Sequence, residues 1–125
     1  MATYLDRTQT AGNRQTFTIS LWVKRVNRFN TYTHLFTAGP NPGSWDTLRF
    51  DNNRRLALRL DNDSHVIQTN KEFSDPNAFY HIVCAVDTTQ ATASDRVKLY
   101  VNGVQETDLA VSNYPTQNKN LSFND

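Results

Sequence analysis

Apolar residues in this chain recur at every second position. In "TFTISLWVKR", Phe17, Ile19, Leu21 and Val23 alternate with Thr16, Thr18, Ser20 and Lys24, the pattern of a strand that buries one face and carries Trp22 on the other. No apolar series of useful length keeps helical spacing, and neither a repeat nor a heptad is present. A chain patterned this way folds as sheets.

Turn chemistry divides the alternation into short strands. Asn102-Gly103 lies between "LYV" and Val104, and both residues tolerate the positive φ of a type I′ hairpin. In the middle of the chain, Leu48 and Phe50 share one face, as do Leu56, Leu58 and Leu60, with the polar triplets Asn52-Asn53-Arg54 and Asp61-Asn62-Asp63 as turns between runs. Read as three-residue loops, these triplets pair Leu48 with Leu58, Phe50 with Leu56, and Val66 with Leu58. All then point to one core. The opposite face carries Thr47, Arg59 and His65 in one row and Arg49, Ala57 and Ile67 in the next.

"THLFTAG" (33 to 39) reads as a further short strand, and "GPNPGSWD" (39 to 46) as a loop containing Trp45. "FYHIVCAVD" (79 to 87) is apolar on both faces, as expected of a central strand. Glu106 stands where the strand after Asn102-Gly103 should bury an apolar side chain, so that strand ends early or lies at an edge. A last alternation occupies "NLSFND". Many short strands at close spacing indicate an antiparallel β-sandwich or jelly roll spanning 1 to 125 as one domain.

Composition narrows the partners. Thirteen basic and twelve acidic residues leave a formal net charge of +1, with neither the basic cluster nor the interleaved aromatics that nucleic acid requires. No apolar run is long enough to insert in a membrane. The stretch from Met1 to Gln15 is polar and lacks the apolar segment of a signal peptide. Cys84, the single cysteine, lies in "HIVCAVD", where it reads as a small buried hydrophobe made in a reducing cytoplasm.

The ordered motifs "FTISLWVKR" and "DPNAFYHIVCAVDTTQATASDRVKLYVNGVQ" resemble the laminin G-like jelly rolls of the concanavalin A-like superfamily, closest to versions in structural proteins of phages and marine viruses. The resemblance covers about residues 3 to 107. It implies a structural or adhesion module of a virion (tail or capsid-associated) or similar surface assembly, with a lectin-like domain for cell-surface glycans as the alternative. Members of the superfamily usually continue with further strands. The ending at Asp125 therefore reads as a minimal variant or a piece of a longer polypeptide. On that reading an open sheet edge is covered by identical copies, giving a homo-oligomer by edge pairing or face-to-face packing, unless 107 to 125 folds back to close the sandwich.

Glycoside hydrolases of this superfamily place two carboxylates about a scissile bond. Here the only glutamates, Glu72 and Glu106, are far apart in sequence, so no catalytic residue is expected. The resemblance also makes calcium a candidate cofactor. "LDNDS" (60 to 64) and "FDNN" (50 to 53) offer oxygen ligands but already read as turns. His34, His65 and His81 lack metal-ligand spacing. The candidate ligand contacts are the rings of Trp45 and Tyr32, which could stack on a sugar, and the donors Arg49, Arg59 and His65 on the outer sheet face.

Overall fold

The computed structural model describes residue 10 and residues 12–25, 30–41 and 44–125. Much of the polar N-terminal stretch and residues 42–43 of the loop expected at 39 to 46 lie outside them. Among the described residues nine strands follow in chain order: β1 (Thr16–Lys24), β2 (Thr33–Asn41), β3 (Ser44–Phe50), β4 (Arg55–Leu60), β5 (His65–Glu72), β6 (Phe79–Asp87), β7 (Val97–Val101), β8 (Val104–Gln105) and β9 (Leu109–Asn113). A 3-10 turn, Ala93–Asp95, precedes β7. Among the described residues no helix is long and apolar enough to cross a membrane.

The strands form two antiparallel sheets packed as a sandwich. One has the order β1-β6-β7-β8, the other β2-β3-β4-β5-β9. The alternation of β1 buries Phe17, Ile19, Leu21 and Val23 partly against the core. β6 is central, between β1 and β7. Leu48, Phe50, Leu56, Leu58, Leu60 and Ile67 of the five-stranded sheet face Ile82, Cys84, Val86, Val97, Leu99 and Val101 of the other in one core cluster. Complete burial pushes the Cys84 thiol up to about 12, so it packs as a hydrophobe.

The turns follow their residue types, with one correction. Asn102 (φ 51) and Gly103 (φ 79) close the two-residue hairpin in the left-handed region. Asn52-Asn53-Arg54 forms the expected three-residue loop: Asp51 N donates to the Arg55 carbonyl, and Arg54 takes φ 68. Leu48 therefore pairs with Leu58, and Phe50 with Leu56. The next turn is one residue longer than expected. Leu60 pairs with His65, so Ser64 joins Asp61-Asn62-Asp63 in a four-residue turn, and Ile67 instead of Val66 lies opposite Leu58. A one-residue shift exchanges the faces of a strand. Ile67 is buried in the core, Val66 pairs with Arg59 on the outer face, and His65 turns to the core side.

Two other local expectations change. β3 begins at Ser44, which makes Trp45 a strand residue. "NLSFND" forms no strand, yet its alternation buries Leu121 and Phe123. The two-residue β8 lies at a sheet edge, and Glu106 stands just beyond it with its side chain turned inward and only 11% exposed.

Residues 107 to 125 fold back onto the sandwich, the alternative to an edge left open. β9 pairs with β5. The following segment bonds along residues 12–15, through Gly12 N to the Asn124 carbonyl and Leu121 N to the Arg14 carbonyl. Phe123 packs its ring against Phe17 (5.6 Å) and Phe36 (5.4 Å). Buried Asp46 ties this end together by accepting from Asp61 N and Ser122 N.

Candidate functional site

The outer face of the five-stranded sheet carries a layer of polar side chains set by the β3-β4-β5 register. Arg49, Ala57 and Gln68 form one cross-strand row, and Thr47, Arg59 and Val66 another. Asp51 lies two residues beyond Arg49 and shares its face. Its carboxylate is 2% exposed. Arg49 Nε donates to its Oδ1 at 2.7 Å, while Arg59 Nη2 (2.6 Å), Arg59 Nε (3.2 Å) and Gln68 Nε2 (2.5 Å) donate to Oδ2. Arg59 also pairs with Asp63 at 3.0 Å.

Burial alone would raise the Asp51 carboxyl. The hydrogen bonds and charges of Arg59 and Arg49 outweigh it and hold the group below the ordinary range. Burial lowers Arg59, but Asp51 and Asp63 more than restore it, so its pKa is raised. The network fixes two guanidinium groups in place. The arginines are not loosely solvated, as basic residues on an outer sheet face usually are: the Arg49 and Arg59 side chains are only 11% and 19% exposed.

Arg49 is the centre of the site. Its Cζ lies 4.5 Å from the ring centroid of Tyr32 and 6.0 Å from that of Trp45, within cation–π range. Among the described residues its Nε is the side-chain nitrogen that is hydrogen-bonded, and the same guanidinium is in contact range of both rings. Tyr32, just before β2, is half exposed. Trp45 is held from below by its backbone N–H on Asn62 Oδ1 at 3.1 Å. His34 pairs across the strands with Arg49 and bonds Thr47 Oγ1 through Nδ1 at 3.1 Å, and Thr37 bonds the same hydroxyl at 2.8 Å.

Of the five expected contacts, Tyr32, Trp45 and Arg49 come together, and Arg59 joins them through Asp51. His65 does not. Its pairing with Leu60 turns it inward, where Nδ1 is buried with no hydrogen-bond partner among the described residues. Asp51, Gln68 and His34 were missed. The period of two that put Arg49 on this face also puts Asp51 there, which is the signal that could have found it.

The two calcium candidates supply carboxylates already engaged by cations: Asp51 by two arginines, Asp61 by Lys119 at 2.7 Å, and Asp63 by Arg59. Among the described residues no group of three or more His, Cys, Asp or Glu is placed to hold a metal ion. Glu72 is paired with Arg54 at 2.7 Å. A separate cleft of about 320 Å³ opens between the sheets, lined by Leu99, Leu109 and Tyr114 together with Asp95 and Glu106. Both acids there have cation partners, Asp95 with Lys98 (3.2 Å) and Glu106 with Lys71 (4.0 Å).

A laminin G family model of the concanavalin A-like lectin/glucanases superfamily matches residues 2–124. No curated protein and no solved structure matches the chain.

Proposed function

The chain belongs to the concanavalin A-like lectin/glucanases superfamily, and on that footing we propose that it is a non-catalytic adhesion module whose outer five-stranded face binds glycans. The observation that carries this reading is Arg49, anchored on Asp51 through Nε with its guanidinium in contact range of both Tyr32 and Trp45. A pyranose ring offers an apolar C–H face for an aromatic side chain and hydroxyl oxygens for fixed donors. The Asp51 network fixes the donor before the ligand arrives, which lowers the ordering cost of binding.

The likeness of the strand motifs to structural proteins of phages and marine viruses supports a module that works within a virion or a similar surface assembly. A glycoside hydrolase is the least supported alternative. It needs an acid and a second carboxylate across one bond, whereas Glu72, Glu106 and Asp95 are each paired with a basic side chain.

A glycan array probed with the whole chain tests the reading. Binding to at least one glycan is expected, weakened about fivefold or more in Tyr32→Ala, the equivalent of about 1 kcal/mol. An array without hits would overturn it, as would turnover of a polysaccharide lost in Glu106→Gln.

A further inference from the structure

The second sheet also has an outer face, and its two ends differ. Its side chains lie in rows across β1 and β6: Lys24 with Phe79, Trp22 with His81, Ser20 with Val83, Thr18 with Ala85, and Thr16 with Asp87. Large apolar rings project at the first end, where Trp22 is 70% exposed and Phe79 61% exposed. The indole stacks on the His81 ring at 4.8 Å with 21° between planes, and His81 Nε2 bonds Ser20 Oγ at 2.9 Å, so the projection is held in place. Lys24 Nζ lies 5.3 Å over the Phe79 ring.

The other end is hollow. Ala85 is too small to fill its place between Thr18 and Lys98, and a depression of about 240 Å³ opens there, bordered by Thr16, Asp87 and Asp95. The Asp87 carboxylate stands at that end, accepting from Thr16, Thr89 and Gln90. One end thus offers rings and a cation, the other a hollow with the paired Asp95 and Lys98 at its rim and the Asp87 carboxylate beyond it, and the Ser20–Val83 row lies midway between them.

We infer that this face is the contact between two copies of the chain. They pack face to face about a two-fold axis that runs parallel to the two sheets, midway between them, and crosses the strand direction at the level of the Ser20–Val83 pair. Such an axis reverses the strand direction in the second copy, so the row four residues to one side of the midline meets the row four residues to the other side. Trp22 then faces the Thr18 and Ala85 row, where the hollow receives it, and Lys24 and Phe79 face Thr16 and Asp87. Every contact occurs twice, as an isologous interface requires. An axis parallel to the strands would instead set each row against itself, with the Lys24–Phe79 row meeting its own copy, and leave both hollows unfilled.

The area limits the strength. The nine-residue β1 and β6 and the five-residue β7, at ~3.3 Å per residue and ~4.8 Å per strand, give a flat footprint of roughly 370 Å² on each copy, before side-chain relief is counted. That is the low end for a specific interface, so the dimer is expected to form at about micromolar concentration and above.

Sedimentation velocity on the whole chain over a range of concentrations tests this, with circular dichroism to verify folding of each variant. The wild-type chain should pass from monomer to dimer. Ala85→Arg, which fills the hollow, and Lys24→Asp, which sets like charges together, should each raise the required concentration about tenfold or more. Asp87→Lys should do the same alone. Mixed in equal amounts with Lys24→Asp, it should recover dimer, because both charge pairs become opposite in the mixed species. If Asp87→Lys fails to fold, Ala85→Arg and Lys24→Asp decide the matter. A wild-type chain that remains monomeric throughout would assign the face to a different partner and overturn the inference. So would a dimer that persists unchanged in Ala85→Arg and Lys24→Asp, which would have to form through another surface.

Discussion

Asp51 and Arg59 meet across the outer face of the five-stranded sheet, with Nη2 of the arginine 2.6 Å from an oxygen of a carboxylate that is 2% exposed. Arg49 holds the other oxygen. The two arginines and the strand ends they connect therefore depend on one buried anion. Removing one partner of a buried ionic network leaves the rest desolvated and unpaired, which costs more than the intact network contributes.

Asp51→Ala is accordingly expected to lower unfolding stability by about 3 kcal/mol in urea titration. It should also weaken glycan binding, because the Nε anchor of Arg49 is lost. Asp51→Asn keeps an acceptor for Gln68 and should be milder. A change below about 0.5 kcal/mol for the alanine variant would show that the network does not bear on stability.

The same residue sets an acid dependence. The folded carboxyl is held below its ordinary value, so its contribution is fully present above the unfolded value of about 3.9 and disappears as pH falls through the lower folded value. Urea midpoints measured through the acid range should fall more steeply for wild type than for Asp51→Asn. Parallel profiles would contradict this.

The register of β5 gives a sharper contrast. Ile67→Ala should cost about 2 to 5 kcal/mol through an unfilled core site, and Val66→Ala, on the outer face, about 1 kcal/mol or less. The reverse order would restore the three-residue reading of the turn after Leu60.

Cys84 should resist thiol reagents until the chain unfolds, since burial pushes its thiol up to about 12 and the thiolate is the reactive form. Labelling with Ellman's reagent across a urea titration should track unfolding. Rapid labelling in native buffer would contradict the buried position.

The Asn102-Gly103 hairpin and the loop at Asn52-Asn53-Arg54 were legible because apolar pattern and turn chemistry agreed on one register. After Leu60 they did not constrain it. Asp61, Asn62 and Asp63 all adopt positive φ, and the adjacent Ser64 is equally compatible with a turn, so polar chemistry alone left its length open. Trp45 was assigned to a loop because the Pro and Gly signals just before it extend close to the strand start. In the site, Arg49, Tyr32 and Trp45 were legible as residue types suited to ligand contact. The anchoring role of Asp51 was obscured because aspartates beside asparagines read first as turn formers.

Amide chemical-shift mapping tests the binding account most directly. With isotope-labelled chain and an oligosaccharide that scores on the array, the largest shifts should cluster on Tyr32, His34, Trp45, Thr47, Arg49 and Gln68. Arg49→Lys should reduce them, because the ammonium lacks the planar pair of donors. Shifts centred on Trp22 and His81, or on the cleft beside Glu106 and Tyr114, with the Arg49 face unmoved, would contradict it.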